Sequence, residues 1–326
     1  MSERTFVEAQ NEAIQEEMAR DDRIFVIGEN VRGMGYGTEF MGLVDRYGQG
    51  RVIDTHISEV AILGAAIGAA LTGMRPIASL MFVDFLGCCG DQLLNQLQVR
   101  YMLGGQDVRL PLVITCAAGG GFNGAAQHSK TLVGWLMQVQ GLKIVAPSTA
   151  PDMKGLMKSA IRDDNPVIVL THRMLGLFNM STYNVPDDEY LVPIGKADVK
   201  REGEDVTVVA TMLMVHRALA AAERLQAMGV STEVIDPRTI VPLDKSAIID
   251  SVKKTGRLVV MEEAPITGSF ASEVSAIVAD QAFQYLKAPV KRVCAPDTPS
   301  PYSPPLERFW MPDEDDLVRA VTGILK

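Results

Sequence analysis

Short apolar runs alternate with longer amphipathic stretches along most of the chain. The apolar runs are typical of buried strands, and the stretches between them show helical periodicity. Strand followed by helix, repeated many times, predicts a mainly parallel sheet covered on both faces, which is an α/β fold. The first half predicts strands in RIFVIGEN, VIDTH, RPIASLMF, LPLVITCA and KIVAPS, and helices in TFVEAQNEAIQEEMARDD, SEVAILGAAIGAALTG, DQLLNQLQVRYM and PDMKGLMKSAIRD.

The periodicity fades between Thr171 and about Lys200, where prolines and acids collect in NVPDDEYLVP. Such a stretch predicts a surface linker. The alternation then returns, so we expect a second, smaller α/β domain and divide the chain into residues 1–185 and 186–326. Its predicted strands are DVTVVATM, STEVIDPRTIVPLD, RLVVMEE and VKRVCAP, and its predicted helices are SFASEVSAIVADQAF and MVHRALAAAERLQAMG, the latter closed by Gly229.

Composition narrows the function class. The 326 residues are 47% hydrophobic and 22% charged, as in an ordinary soluble enzyme of about two domains. A net charge of -9, with no stripe of Lys and Arg, argues against nucleic acid as a partner. We expect no membrane span, and the polar amino end does not resemble a signal or transit segment, so a cytoplasmic location is predicted. The four cysteines show no zinc spacing and are expected to be reduced.

Glu59 opens the apolar helix SEVAILGAAIGAALTG. Its plainest interpretation is a capping acid, with Ser58 as N-cap, in front of a core helix. The helix, however, has a face with almost no side chain, formed by Gly64, Ala65, Gly68, Ala69 and Ala70, which lets another helix or a ligand approach the backbone. A carboxyl there would be poorly solvated and could share a proton with a ligand nitrogen.

Two further stretches are candidates for chemistry. GGGFNGAAQHSKT, residues 119–131, is a glycine-rich loop after a predicted strand, and it matches no phosphate-binding fingerprint. A histidine is more often structural than catalytic, but His128 lies in this loop and not on an apolar face, which favours a functional role. In SLMFVDFLGCCGDQLLNQ, Met81 and Phe85 read first as core residues, and local sequence alone does not decide the matter.

These stretches together resemble a known family. The resemblance is carried almost end to end by VIGEN, VIDTHISEVAILGAAIGAALTGMRP, SLMFVDFLGCCGDQLLNQ, RYMLGG, AAQHS, GLKIVAPS, DMKGLMKSAIRDDNPVI, VIDPRTIVPLD and SVKKTGRLVV. The family is the beta subunit of the thiamin-diphosphate-dependent decarboxylase component of 2-oxo acid dehydrogenase complexes, and the acetoin dehydrogenase branch is the most similar part of it. The resemblance implies a thiamin-diphosphate-binding fold, with a pyrimidine-binding parallel sheet, followed by a transketolase C-terminal-like domain.

The resemblance also implies roles for particular residues. The glutamate that matches Glu59 hydrogen-bonds the 1′ nitrogen of the cofactor's aminopyrimidine and so promotes its imino form, which takes the proton from the thiazolium carbon. Phe85 is expected on the pyrimidine face, with Met81 lining the same pocket. His128 matches a histidine expected to assist proton transfer or to meet the lipoyl group. A potassium site is expected on oxygens of Leu112, Ala160, Ile161, Asp163 and Asn165, although RDDNP also reads as a helix-ending turn.

The chain contains no Gly-Asp-Gly sequence, which thiamin enzymes use to hold Mg²⁺ and the diphosphate. The resemblance therefore implies that a separate alpha subunit supplies Mg²⁺ and that half of the site. It further implies a heterotetramer with a second beta chain, and acyl transfer to a lipoyl-bearing acyltransferase core. The expected activity is that of an acetoin or 2-oxo acid dehydrogenase, cleaving the bond beside a carbonyl. A split transketolase-like transferase and a non-catalytic scaffold subunit are the alternatives.

The sequence departs from the family pattern near the expected site. Thr115 and Cys116 stand where many relatives have an arginine, Thr171 where they have a glutamate, and Gln140 where a proline is usual. These departures leave the identity of the substrate undetermined, but they do not affect the expected binding of the cofactor.

Overall fold

The computed structural model describes residues 1–33, 38–103, 108–176 and 182–325, without the side chains of Thr38 and Arg100. The last two residues of the RYMLGG motif and residues 177–181 of the predicted linker lie outside these ranges. The chain divides into two compact units. The first contains Met1–Ala118 and Met137–Ile194, and the second contains Gly119–Leu136 and Gly195–Lys326.

The first unit is built on a parallel sheet in which strands run in the order β6-β7-β5-β4-β2-β3. A short antiparallel pair, β1 with β8, lies apart from it. The strands are β1 (Ser2–Arg4), β2 (Ile24–Glu29), β3 (Val52–Thr55), β4 (Arg75–Phe82), β5 (Val113–Ala118), β6 (Lys143–Val145), β7 (Val167–His172) and β8 (Tyr183–Val185). The helices are α1 (Phe6–Arg20), α2 (Leu43–Tyr47), α3 (Glu59–Leu71), α4 (Gly90–Leu94), α5 (Val99–Leu103) and α7 (Ala150–Arg162), with 3₁₀ helices Thr38–Phe40, Val83–Cys89 and Gln96–Gln98.

The second unit has a five-stranded sheet in the order β14-β13-β10-β11-β9, in which only the edge strand β9 is antiparallel to its neighbour. The strands are β9 (Asp198–Arg201), β10 (Val206–Ala210), β11 (Thr232–Asp236), β13 (Leu258–Pro265) and β14 (Lys291–Ala295), together with the short β12 (Thr239–Val241). The helices are α6 (Val133–Leu136), α8 (Leu213–Ala227), α9 (Lys245–Thr255), α10 (Phe270–Gln281), α11 (Pro304–Trp310) and α12 (Glu314–Leu325), with the 3₁₀ helix Phe283–Tyr285.

Local chemistry explains where several elements begin and end. The Thr5 side chain accepts a hydrogen bond from the Glu8 backbone N–H, and the Glu8 carboxylate accepts one from the Thr5 N–H, so a capping box starts α1. Gly229 has a φ of 82° just after α8, which is the left-handed ending predicted for it. Alanines and Met214 of α8, together with Leu317, Val321 and Ile324 of α12, pack with the valines of β10 and β13 to form the core of the second unit.

Three features differ from the sequence-based expectations. The predicted helix 91–102 is divided into α4, the 3₁₀ helix Gln96–Gln98 and α5. The predicted linker contains β8 and the start of β9. The division between the units falls after Ile194, and Gly119–Leu136 belongs to the second unit. Among the described residues, none of the helices has both the length and the apolar character needed to cross a membrane.

Candidate active site

Acidic side chains collect at the carboxyl edge of the first unit's sheet. Glu29 is the last residue of β2, and Glu59 is the first residue of α3, the helix that follows the neighbouring strand β3. The carboxyl ends of parallel strands share one edge of the sheet, and this edge is where ligands bind in α/β folds. Asp54, near the end of β3, accepts a hydrogen bond from the Val31 backbone N–H at 2.9 Å.

Electrostatic coupling shows that Glu59 lies near other ionisable groups. Burial raises the pKa of Glu29, and the charges of Glu59 and Asp54 raise it further. Burial also raises the pKa of the Cys89 thiol to about 12, again with a contribution from Glu59. Glu59 is half-buried, so it is neither a fully solvated capping acid nor a sealed core group. Its neighbour Ser58 is the N-cap residue of α3, as predicted, but its side chain makes no capping hydrogen bond.

The small-residue face predicted on α3 is only partly open to solvent in this chain. Ala65 and Gly68 are exposed, and a Cβ added at Gly68 would meet no atom within 4 Å. Ala70, which was predicted on the same face, is buried. This geometry leaves the backbone near Glu59 accessible to another surface or a ligand, as the sequence predicts.

An aromatic pair lies where β4 meets the 3₁₀ helix Val83–Cys89, which packs against α3. The rings of Phe82 and Phe85 meet edge to face, with centroids 5.3 Å apart. Phe82 is a core residue, only 5% exposed, whereas Phe85 is half-buried and can contact a ligand. Met81 is also half-buried and has a φ of 53°, a conformation that side chains seldom adopt outside functional or tightly packed sites. The 3₁₀ helix that carries Phe85 thus packs against the helix that Glu59 begins, and Met81 lies at the end of the strand before it.

The glycine-rich loop Gly119–Leu136 belongs to the second unit, where two buried glutamates hold it. The Gly120 N–H donates to Glu263 Oε1 at 2.5 Å. The N–H groups of Gly121 and Asn123 donate to the two carboxylate oxygens of Glu307 at 3.0 and 2.9 Å. Glu263 and Glu307 are only 2% and 3% exposed, so they satisfy backbone donors that lie away from water.

The same loop carries His128. It lies half-buried in a tight turn, where its N–H donates to the Ala125 carbonyl at 3.4 Å and Ala125 itself has a φ of 58°. Gly119 and Gly121 have φ values of 83° and 95°, so glycine is required for this chain path. His128 and Glu59 belong to different units, and the loop's position with the second unit is not visible in the linear order of the sequence.

The predicted potassium ligands lie around the end of α7. The Ala160 carbonyl accepts from the Asp163 N–H at 3.2 Å, and the Leu112 carbonyl accepts from the Val167 N–H at 2.9 Å. The Asp163 carboxylate accepts from the Asn165 side-chain amide at 2.9 Å and pairs with the Lys143 ammonium.

Arg75 reaches the same loop and donates to the Ile161 carbonyl through two nitrogens, at 3.0 and 2.8 Å. Two protein cations, the Arg75 guanidinium and the Lys143 ammonium, therefore already contact part of the predicted oxygen set. Potassium at this loop stays a prediction.

Sequence comparison places the chain among known proteins. Residues 2–177 match the pyrimidine-binding domain of transketolase, and residues 195–317 match the transketolase C-terminal domain. The chain is 43% identical to the acetoin:2,6-dichlorophenolindophenol oxidoreductase subunit beta of Bacillus subtilis (strain 168), covering 98% of this chain and 96% of that relative. It is 44% identical to the 2-oxoisovalerate dehydrogenase subunit beta of the same strain, covering 98% of both. The chain belongs to this family of dehydrogenase beta subunits.

Other relatives agree with this assignment. The pyruvate dehydrogenase E1 component subunit beta of Rickettsia bellii (strain RML369-C) is 44% identical, with 98% of both chains covered. A solved structure described as a split gene transketolase, inactive beta4 tetramer, has a TM-score of 0.80 at 24% identity, covering 98% of this chain and 97% of that one, which shows a shared fold. The predicted thiamin-diphosphate family, the α/β fold and the transketolase-like second domain are thus confirmed.

Sequence reasoning missed Glu29, Glu263 and Glu307. Glu29 precedes Glu59 by thirty residues, and only the parallel pairing of β2 with β3 brings the two close. A signal was nevertheless present, since Glu29 and the Glu262–Glu263 pair stand at the ends of apolar strands, where acids have no packing role.

Proposed function

We propose that this chain is the beta subunit of a thiamin-diphosphate-dependent acetoin or 2-oxo acid dehydrogenase. The observation that carries the proposal is the half-buried Glu59 at the sheet's carboxyl edge, coupled to Glu29 and next to the Phe85 segment. The curated relatives are subunits of acetoin, 2-oxoisovalerate and pyruvate dehydrogenases, which supports this reaction class. The transketolase-like transferase has weaker support, because the solved transketolase shares the fold alone.

The residues present fit the aminopyrimidine of the cofactor. Bound thiamin diphosphate supplies a carbanion and an electron sink for cleavage beside a carbonyl. Glu59 would hold a proton at the pyrimidine 1′ nitrogen, and the nearby Glu29 has a pKa raised by burial and then by the Glu59 charge. Phe85 and Met81 would bind the apolar face of the ring and exclude water from it. His128 would move a proton at the reacting group or meet the incoming lipoyl group.

The remaining half of the site would come from a partner. The relatives are named as beta subunits, which supports a complementary alpha subunit, and this sequence has no Gly-Asp-Gly for Mg²⁺ and the diphosphate. We therefore include in the proposal a heterotetramer of two alpha and two beta chains that passes its acyl group to the lipoyl domains of an acyltransferase core. The open face of α3 beside Glu59 is compatible with a subunit contact at that point.

The direct test is Glu59→Gln in the reconstituted heterotetramer. Glutamine keeps the shape of the side chain but cannot hold the proton, so kcat is expected to fall by about 10²–10⁴-fold. Glu3→Gln, a change of the same kind in β1, is the control and should keep full turnover. Near-normal turnover of Glu59→Gln would end the assignment. Assays with and without lipoamide or an artificial oxidant separate the dehydrogenase from a transferase, which needs neither.

Potassium is a separate part of the proposal. The carbonyls of Leu112 and Ala160 each accept one backbone hydrogen bond and retain a second lone pair, while Asn165 adds an amide oxygen. A bound K⁺ is expected to raise the melting temperature of the chain relative to the same concentration of Na⁺, because a cavity of carbonyl oxygens discriminates by ion size. Equal melting temperatures in the two salts would exclude the ion from this loop.

A further inference from the structure

The glycine-rich loop Gly119–Leu136 lies at the carboxyl edge of the second unit's sheet. Helix α8 leads from β10 to β11 on one side of β10, and the chain then passes through α9 to β13 on the other side. The strand order therefore reverses between β10 and β13, and open α/β sheets bind ligands at the carboxyl ends of such a pair. Glu263, near the carboxyl end of β13, accepts the Gly120 N–H. The loop thus occupies the place that a ligand takes in such folds.

The loop has a first limb, residues 119–124, and a second limb, residues 129–131, and both contact the same glutamate. The Glu263 carboxylate accepts the Gly120 N–H, and its backbone carbonyl accepts the Thr131 hydroxyl at 3.5 Å. A backbone N–H at the start of the first limb also donates to a carbonyl of the second limb at 2.8 Å. Both limbs are therefore tied to β13.

Glu307 of α11 holds the first limb at a second point. Its two carboxylate oxygens accept the N–H groups of Gly121 and Asn123 at 3.0 and 2.9 Å. Asn123 and Ala125 have φ values of 61° and 58°, a region that residues with a side chain seldom adopt. Such backbone strain persists where neighbouring contacts impose it, and the paired hydrogen bonds to Glu307 supply contacts of this kind.

The first limb packs against Ser129, the residue that follows His128. A Cβ added at Gly120 would lie 3.4 Å from the Ser129 Cβ, and one added at Gly124 would lie 2.9 Å from the Ser129 hydroxyl oxygen. Ser129 is fully buried, and close packing transmits displacements between neighbours. A shift of the limb that Glu307 holds would therefore move Ser129 and, with it, the imidazole of His128.

We propose that Glu263 and Glu307 are positioning residues, which hold the His128 imidazole in place by fixing the two limbs of its loop. Both side chains lie away from water and accept hydrogen bonds from loop N–H groups. Their effect on the reaction passes through His128, not through contact with the substrate. The kinetic part of this inference rests on the proposed function, since it requires His128 to act at the reacting group, whereas the anchoring of the loop does not.

The first experiment is a double-mutant cycle in the reconstituted heterotetramer. Glu307→Gln loses one of two oxygen acceptors, and we expect kcat to fall at least about tenfold, because a displacement of about 1 Å can cost about 10²-fold. The affinity for thiamin diphosphate should stay unchanged, since Glu59 belongs to the first unit. In His128→Ala the same substitution should lower the residual kcat by less than about twofold. An equal fall in both backgrounds, or no fall with His128 present, would overturn the proposal.

The second experiment measures the accessibility of His128 without turnover. The full chain is treated with diethyl pyrocarbonate, which acylates exposed imidazoles, and mass spectrometry compares half-buried His128 with exposed His56. Glu307→Gln should raise the rate at His128 relative to His56 at least about fivefold, because the loop then opens more often. Glu223→Gln, the matched change on the exposed side of α8, should leave the ratio unchanged. An unchanged ratio in Glu307→Gln would contradict the anchoring.

The two readouts separate this inference from the proposed function. A native heterotetramer without lipoamide-dependent turnover, together with a raised His128 rate in Glu307→Gln, would reject the dehydrogenase and support the anchoring. Normal turnover in both the native protein and Glu307→Gln would support the dehydrogenase and overturn the positioning role.

Gly120→Ala is a second variant, to be used if Glu307→Gln fails to fold. It retains both carboxylates, but the added Cβ would lie 3.1 Å from a Glu307 carboxylate oxygen, so the anchor must shift. We expect kcat to fall and the His128 acylation rate to rise, each by at least about twofold. Native values of both quantities in Gly120→Ala would contradict the inference.

Discussion

The buried carboxyl of Glu262 is expected to lower the stability of the folded chain at neutral and higher pH. Burial raises the pKa of Glu262 to about 7, although the backbone N–H of Ala271 donates to it at 2.9 Å. The residue is 1% exposed, so its ionised form is poorly solvated. Since the folded chain binds this proton more tightly than the unfolded chain does, stability falls as the pH rises from 4.5 to about 7 and stays lower above that value.

Glu262→Gln should remove this dependence. The glutamine oxygen can still accept from Ala271, so the variant is expected to match the native chain near pH 4.5 and to exceed it at pH 8. The interval from 4.5 to about 7 corresponds to about 3 kcal/mol at most. Urea unfolding at the two pH values measures the difference. Parallel stability curves for the two proteins would contradict the assignment of this effect to Glu262.

Glu307 is expected to determine the order of the histidine loop. In Glu307→Gln an amide NH₂ faces a backbone N–H that now donates to a carboxylate oxygen, so one of the two loop hydrogen bonds is lost. The cost should be about 1–3 kcal/mol. Hydrogen exchange at the Gly121 and Asn123 amides should accelerate in the variant and stay unchanged in Glu223→Gln, an exposed change on α8. Unchanged exchange in both variants would show that the carboxylate does not hold the loop.

At the scale of elements, the packing of α1 on α7 depends on ion pairs of unequal exposure. Arg162 donates to Glu17 at 2.5 and 2.9 Å, and the Glu17 side chain is 1% exposed. Lys158, itself fully buried, pairs with Glu16 at 2.6 Å and with Glu189, whose side chains are 36% and 60% exposed. Removing Arg162 would leave the buried Glu17 carboxylate without its main cation and away from water. Removing Lys158 would leave the Glu16 and Glu189 carboxylates unpaired from it but in contact with water.

The solvent exposure of the acid that loses its cation should decide which substitution destabilises the fold more. Arg162→Met is expected to cost about 2 kcal/mol, because among the described residues Glu17 then retains only the exposed Arg20 as a cationic partner. Lys158→Met should cost about 1 kcal/mol or less, since Glu16 and Glu189 can be hydrated. Thermal unfolding of the two variants gives the comparison. An equal or reversed order would mean that solvent access does not govern these pairs.

Strands and helices were predicted correctly where a single hydrophobic pattern ran through the whole segment. RPIASLMF was predicted as a strand and is β4, because its apolar run is bounded by Gly73 and by the 3₁₀ helix that follows. The stretch 91–102 was predicted as one helix, whereas the chain divides it into α4, the 3₁₀ helix Gln96–Gln98 and α5, a change of helix type that apolar spacing does not reveal. Helices α2, α6, α9, α11 and α12 were not predicted, and in α11 two prolines at the start obscure the periodicity.

At the scale of the whole molecule, the family assignment followed from many motifs in order, whereas the acidic pair and the loop anchors required three-dimensional contacts. Glu29 meets Glu59 through strand pairing, and Glu263 meets Gly120 across 143 positions of sequence. Such long-range partners cannot be read from local patterns. Glu59, Phe85 and His128 were predicted because a family pattern marks them, and their catalytic roles remain to be tested.

The absence of Gly-Asp-Gly leads to a prediction about assembly. The chain alone is expected to bind thiamin diphosphate weakly, because the diphosphate carries most of the charge and its Mg²⁺ half-site lies on the proposed alpha subunit. Adding a chain that contains Gly-Asp-Gly should raise the affinity at least about tenfold, measured by calorimetry with Mg²⁺ present. Tight binding by the isolated chain, unaffected by the partner, would contradict the shared site.

The attachment of Gly119–Leu136 to the second unit bears on how this protein can be recombined with its relatives. A chimera joined only at residue 195 would inherit the histidine loop from one parent and both anchoring glutamates from the other. Exchanging residues 119–136 together with 195–326 would keep the hydrogen-bond donors and acceptors from a single parent. The segment that must be exchanged as one unit therefore consists of two separate stretches of the gene.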